Sequence, residues 1–288
     1  MCVPGTQEAV RTALEAEQQP PPQGLSRRAA LAAGAGALAA GLVPSTAMAG
    51  HGHRRGRGRG HGRGRGQELV DLTHTFREDF ALYPNSPTAS RETARTIAAD
   101  GFYGQVWTFW EHTATHMDVP GHFVAGGRTS EEITLQELIR PLVVVDVSER
   151  AASTPATEVT VDDLRRYERR HGRIPKGALV AMDSGWGAKA ADADAFINDM
   201  QFPGFSGDAT AWLLAERKIG GIGVDTLSLD NGPSTSFASH LAVLKADRVG
   251  IENLANLDKV PRRGATVVMG LIPWKEGSGG PARVFATH

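Results

Sequence analysis

Apolar residues along 67–288 fall in short runs set between Gly, Pro and Asp, the pattern of strands buried in a sheet rather than of long amphipathic helices. Eight such runs predict strands at 68–74, 106–111, 142–147, 178–183, 219–226, 248–252, 266–271 and 281–286. Three stretches between them carry helical spacing. Residues 159–170 open with Thr160 as N-cap and Asp163 three residues on, and Gly172 follows as a stop. Residues 206–218 start at a serine cap and are expected to bury Ala211, Leu214 and Ala215. Residues 237–246 set His240 among apolar neighbours. Strands alternating with helices predict an α/β chain, a single domain with a mixed β-sheet flanked by helices over 67–288.

Before residue 67 the pattern is different. A weakly apolar run, rich in Ala and Gly, covers 29–43; Arg27-Arg28 precede it and Ala47-Met48-Ala49 follow. That order predicts a twin-arginine export signal over 1–49, cleaved after about Ala49. The run is too short and too glycine-rich to span a bilayer stably. The chain is therefore expected to be exported, to the cell envelope or beyond, with no membrane span. Residues 50–66 hold only Gly, Arg and His. Such a segment cannot bury a core and is expected to be a disordered tether, with weak polyanion or metal binding as the sharper alternative.

Charge follows the same division. The whole chain of 288 residues has a formal charge of −1. Residues 50–66 carry six arginines and no acid, whereas 67–288 hold 22 Lys and Arg against 29 Asp and Glu. A bulk basic surface is thus excluded for the folded part. The one cysteine, Cys2, lies in the predicted signal. No internal disulfide and no thiolate metal site can form, so any metal must be held by His, Asp and Glu.

The stretch from Trp110 to His122 places His112, His116, Asp118 and His122 within eleven residues. Imidazole and carboxylate at this spacing suit Zn²⁺ or Mn²⁺. His116 and Asp118 are two apart and share a face if the chain is extended. Pro120 stops a helix from running through the cluster, which predicts a strand end leading into a loop. Gly-x-Ser-x-Gly does not occur, which leaves an activated water as the natural nucleophile.

The residues His112-Thr-Ala-Thr-His116-Met-Asp118-Val-Pro-Gly-His122 resemble the H-x-G-T-H-x-D-x-P-x-H motif of the metal-dependent cyclase/hydrolase family that includes bacterial kynurenine formamidase. Leu82-Tyr83-Pro84, Ser184-Gly185-Trp186, Phe202-Pro203-Gly204, the run 223–228, Glu252-Asn253-Leu254 and the run 279–283 resemble further family segments in the same order. The resemblance implies a swivelling β/β/α type of fold. It implies His112, His116 and Asp118 as ligands of a first metal, with His240 and Glu252 as distant ligands and Asp118 and Glu252 able to bridge to a second. It implies His122 as the catalytic histidine and a dimer or tetramer as the assembly. Tyr83 and Trp186 are candidate walls of the substrate pocket. Arg283 is expected to pair with a carboxylate of its own domain rather than with substrate.

Two positions depart from the family pattern. Ala114 stands where Gly is usual, and its methyl needs φ < 0 or a little room. Asn85 stands where relatives often carry Gly. The expected function is an exported metal-dependent hydrolase using one or two divalent ions, Zn²⁺ or else Mn²⁺. It would cleave a C–N or C–O bond (amide, formamide, imide or lactone) of a small aromatic substrate through a metal-bound hydroxide, with His122, its pKa near the working pH, moving the proton. The rival expectation is a non-catalytic exported protein binding metal or a small ligand on the same scaffold.

Overall fold

The computed structural model describes residues 68–288; the predicted export signal and the Gly/Arg/His segment lie outside the described residues. Strands are β1 (Leu69–Asp71), β2 (Ser90–Arg95), β3 (Gly104–Thr108), β4 (His116–Asp118), β5 (Ile139–Asp146), β6 (Glu158–Val159), β7 (Leu179–Asp183), β8 (Gly204–Phe205), β9 (Gly221–Val224), β10 (Val249–Glu252), β11 (Ala265–Leu271) and β12 (Gly279–Thr287). Helices are α1 (Ile97–Asp100), α2 (Ser148–Ser153), α3 (Val161–His171), α4 (Ala193–Ile197), α5 (Gly207–Trp212) and α6 (Ala238–Lys245).

Two compact units emerge. The segment Thr93–Gln105 belongs to one; the other holds the rest of the described chain. Within Thr93–Gln105, Thr96 caps α1 by accepting from Ala99 N, and Gly101 ends the helix at φ +79°. The Asp100 carboxylate accepts in turn from Thr96 N.

The larger unit is built on a mixed sheet in the order β1-β12-β11-β5-β7-β9-β10-β4, and β4 pairs again with β12. Seven strands therefore close on themselves. β12 shares one edge between β4, at Gly279–Pro281, and β1, at its far end. The run β5-β7-β9-β10 is parallel, and β11, β12 and β4 join antiparallel. Alternate residues of each strand point to opposite faces. Leu142, Val144, Leu179 and Ala181 join Met117, Ile251, Val267 and Val284 in one core. Val143, Val145, Val180 and Met182 pack instead with residues of α3, α5 and α6.

All eight predicted strands are present, as β1, β3, β5, β7 and β9–β12, and the three predicted helices are α3, α5 and α6. α3 has the expected capping box, Thr160 with Asp163, and Gly172 at its C-terminus. One expectation fails on α5. In α5 and the π-helical turn Leu213–Arg217 that continues it, the buried residues are Ala209, Thr210 and Leu213, while Ala211 and Ala215 are exposed and Leu214 is half-buried. The segment is apolar on both sides, so its periodicity does not choose a face. Thr210 is admitted to the core because its hydroxyl bonds to Ser206 O and to Ser239 Oγ. No helix among the described residues is long and apolar enough to cross a membrane.

Candidate metal centre

β4 is only three residues long, yet it is hydrogen-bonded on both edges. The register sets His116 opposite Glu252 and Asp118 opposite Gly250 on β10, and Asp118 opposite Gly279 on β12. His116 and Asp118 thus share a face with Glu252, and Met117 turns the other way into the core. Two glycines make the approach possible. A Cβ at Gly250 would lie 2.5 Å from Leu229 Cδ1 and 3.4 Å from Asp118 Oδ2, and one at Gly279 would lie 2.8 Å from His112 Cε1.

The donors converge. Asp118 Oδ1 lies 2.7 Å from His112 Nδ1 and 3.3 Å from His116 Nε2. Glu252 Oε2 lies 3.3 Å from His116 Nε2, and its Oε1 lies 3.0 Å from His240 Nε2. His240 Nε2 is also 3.6 Å from Asp118 Oδ2. Two overlapping ligand groups result, His112–Asp118–His122 and His116–Asp118–Glu252, each with donor atoms within 4.8 Å of one another. Asp118 belongs to both.

The outer hydrogen bonds aim these rings. His116 Nδ1 lies 2.8 Å from the Ala114 carbonyl oxygen, which as a pure acceptor fixes the proton on Nδ1 and leaves Nε2 facing the carboxylates. His240 Nδ1 lies 2.7 Å from Asp230 Oδ2, and the same carboxylate accepts from Ser239 N and His240 N at the start of α6. Ala114 itself sits at φ +55° and is buried. Of the two alternatives, φ < 0 or a little room, the first is not taken: the backbone here is left-handed, the region that glycine enters without strain. Asn85 is also left-handed, at φ +68°.

The charges of these groups are coupled through short distances. Burial alone would lower the His116 pKa, but the Asp118 and Glu252 carboxylates, each 3.3 Å from its Nε2, reverse this and push it up to about 10. His240 is likewise raised: burial opposes its charge, and Asp118, Asp230 and Glu252 outweigh it. Burial would raise Asp118, but His112, His116 and His240 hold it well below its ordinary value. Burial pushes His122 the other way, down to about 4, with His112 adding to the effect and Asp118 opposing it. His122 is thus an unprotonated base at neutral pH, lower than the value near working pH that its expected role suggested.

His116 Nε2 and Asp118 Oδ2 are buried without a hydrogen-bond partner. Two buried carboxylates and two inward-facing imidazole nitrogens demand positive charge between them. Imidazole and carboxylate donors in this number fit a divalent cation.

The centre opens into a pocket of about 230 Å³ lined by Tyr83, Trp110, Phe123, Leu227 and Phe237 as well as by His112, His116, His122, His240 and Glu252. His122 stacks on His112, with ring centroids 3.8 Å apart, and Phe123 stacks on His240. A larger cavity of about 510 Å³, bordered by Arg150, Asp163 and Arg262, contains none of the candidate ligands.

Six of the predicted site residues, His112, His116, Asp118, His122, His240 and Glu252, line or border this one centre, and Tyr83 walls the pocket. Trp186 does not. Its indole is buried against Phe80, Phe196 and Phe202 and donates Nε1–H to Phe196 O. A buried Trp whose N–H is satisfied is a core residue. Arg283 pairs bidentately with Asp71, as expected. Sequence reasoning missed Asp230, Phe123 and Phe237. Asp230 stands two residues beyond the quoted run 223–228, so only the fold shows that it reaches His240.

Residues 70–231 match the family model described as "Putative cyclase". The chain belongs to this cyclase family. Among its relatives, the isatin hydrolase of Roseibium aggregatum is 32% identical over 222 residues, 72% of this chain and 83% of that protein. The kynurenine formamidase of Salinibacter ruber is 27% identical over 160 residues, 56% of this chain and 68% of the relative. The solved structure of isatin hydrolase A from Ralstonia solanacearum superposes with a TM-score of 0.73 at 33% identity, covering 77% of this chain and 92% of that one. This cyclase-family chain is accordingly a hydrolase of the amidase-like kind.

Proposed function

We propose that the protein hydrolyses the C–N bond of a compact aromatic amide, a lactam fused to an aryl ring or an aryl formamide, at the centre formed by His112, His116, Asp118, His240 and Glu252. The observation that carries this is the unpartnered, inward-facing His116 Nε2 between two buried carboxylates at the base of an aromatic-walled pocket. The pocket's volume of about 230 Å³ admits a one- or two-ring substrate and little more. The relatives named for isatin and kynurenine derivatives support the same substrate class.

A divalent cation, Zn²⁺ or alternatively Mn²⁺, supplies Lewis acidity when bound, lowering the pKa of a water toward about 7 and polarising a carbonyl. The remaining steps fall to the chain. Tyr83, Phe123 and Phe237 enclose the aromatic ring and exclude bulk water. His122, unprotonated and at the pocket wall, takes a proton from the attacking water and returns it to the leaving nitrogen. Asp230 and the Ala114 carbonyl hold the His240 and His116 rings in the one tautomer that presents Nε2 inward.

The test is turnover of isatin, aryl formamides, including N-formylkynurenine, and aryl lactones by the purified chain, before and after chelation and with single metals restored. Activity indifferent to metal removal and to His116→Ala would refute the proposal.

We further propose that the protein is exported through the twin-arginine route and acts as a homo-oligomer outside the cytoplasm. Arg27-Arg28, the apolar run and Ala47-Met48-Ala49 support the first part. An intracellular formylkynurenine pathway fits that location poorly, which favours lactam-type substrates. Cell fractionation of wild type against an Arg27→Lys, Arg28→Lys variant decides the location. Light scattering of the purified protein decides the assembly.

A further inference from the structure

We propose that Ser228 accepts a hydrogen bond from the N–H of the substrate's amide and so selects amides over esters and ketones of the same shape. The other uncharged polar side chains of the pocket are engaged or partly open to solvent. The Asn253 amide donates to the Ala114 carbonyl oxygen. Tyr83 and Ser86 are half-buried, and Trp110 is exposed. Ser228 differs from all of these. It borders the pocket with only 4% of its surface exposed, and its hydroxyl has no hydrogen-bond partner among the described residues. A buried hydroxyl is ordinarily paired, so an unpaired one on a pocket wall points to a polar group of the ligand.

Its neighbours fix its place beside the centre. Leu229 N donates to Glu252 Oε1 at 3.0 Å, so Ser228 directly precedes the amide that holds a candidate ligand. Thr226 Oγ1 lies 3.2 Å from Ser228 O, and Phe205 N donates to Leu229 O at 2.8 Å. The hydroxyl therefore belongs to the buried wall on the side of Glu252. An amide brings two polar groups to that wall, its carbonyl and its N–H. The carbonyl oxygen is the group that a divalent cation polarises. The N–H remains, and burying it against aromatic rings without an acceptor is costly. Ser228 Oγ carries two lone pairs and can accept from it. Aryl formamides and aryl-fused lactams both have this N–H. Esters and ketones lack it, and would leave the hydroxyl without that partner.

The inference rests on the aromatic-amide reading of the site, and the experiment separates the two. The binding probes are oxindole, an aryl-fused lactam, and 2-indanone, in which CH₂ replaces its N–H. Each is titrated calorimetrically into the Zn²⁺-loaded wild type and Ser228→Ala proteins. Wild type is expected to bind oxindole about five- to hundredfold more tightly than 2-indanone. Ser228→Ala is expected to melt normally, to lose that factor on oxindole and to hold 2-indanone within about twofold of wild type. Kinetics give a second reading. The kcat/KM of Ser228→Ala should fall more on an aryl formamide than on the matching aryl formate ester, a comparison in which intrinsic reactivity cancels. Equal affinity of wild type for the two bicycles would overturn the inference without any variant. An equal loss of both in Ser228→Ala would overturn it too, since the hydroxyl would then serve the carbonyl or the wall. Either result leaves the hydrolase proposal standing. A wild-type protein that takes up neither bicycle and turns over neither formyl substrate would overturn the aromatic-amide reading and this inference with it.

Discussion

Asn253 donates its side-chain amide to the Ala114 carbonyl oxygen at 2.8 Å, the same oxygen that receives His116 Nδ1 at 2.8 Å. One carbonyl therefore links the β10 end, where Asn253 follows Glu252, to the loop that aims a metal ligand. Thr115 Oγ1 adds a second tie by donating to Asn253 O at 2.6 Å. Asn253 sits at φ +56° and is buried, so both the turn and its contacts are fixed.

Replacing Asn253 with Asp keeps the shape and turns the donor into an acceptor. A carboxylate oxygen would then face the Ala114 carbonyl, and the His116 anchor would be pushed off its position. Metal affinity is expected to fall about ten- to hundredfold. Calorimetric titration of the Asn253→Asp protein checks this; affinity equal to wild type would remove Asn253 from the centre.

Ala114 holds its φ of +55° against the preference of every L-residue with a Cβ. Ala114→Gly removes that strain at a cost in unfolded-chain entropy, and the net gain is expected at about 1 kcal/mol. For a chain of this size the melting temperature should rise by about 2–4 °C. Calorimetry in excess chelator isolates the backbone effect from metal binding. A lower melting temperature would mean that the alanine methyl contributes packing worth more than the strain.

The centre was legible in the sequence because its nearest ligands are adjacent in the chain: His112, His116 and Asp118 announce themselves by spacing alone. The closure of the sheet was not. β4 is too short for alternation to be read, and what makes it a strand is pairing with β10 and β12, more than 130 and 160 residues away in sequence. β2 was equally hidden, since all six of its residues are exposed and polar alternation never arises. Trp186 belonged to a family segment but served the core, a distinction that rests on the Phe196 carbonyl waiting for its N–H. The two glycine departures were visible as composition, and only the backbone shows that both Ala114 and Asn85 occupy left-handed positions.

His122 is held as an unprotonated base, its pKa pushed down to about 4 chiefly by burial. His122→Asn keeps a polar side chain of similar reach and removes the base. Turnover is expected to fall by a factor of about 10²–10⁴, with metal uptake within threefold of wild type. Paired kinetics and metal analysis check both parts. Loss of metal together with activity would make His122 a ligand of the His112–Asp118–His122 group rather than the proton carrier.

Far from the centre, Asp163 joins the capping box of α3 to a bidentate pair with Arg150, at 2.9 and 2.8 Å. Burial works against its charge, but Arg150 and the Thr160 donors outweigh it and lower its pKa to about 2 from an ordinary 3.8. The sign follows directly. Between these values the unfolded chain binds the proton that the folded chain refuses, so stability falls as pH falls. The contribution is whole above 3.8 and gone below about 2. Asp163→Asn is expected to cost about 1–2 kcal/mol at pH 7, from the weakened cap and the unpaired guanidinium. Urea midpoints of wild type and variant, taken from pH 7 down to pH 2 in chelator, should draw together below pH 4, because the wild type loses there what the variant never had. The metal centre titrates in both proteins and cancels in the difference. Parallel curves throughout that range would show that the Arg150 pair contributes packing and not charge.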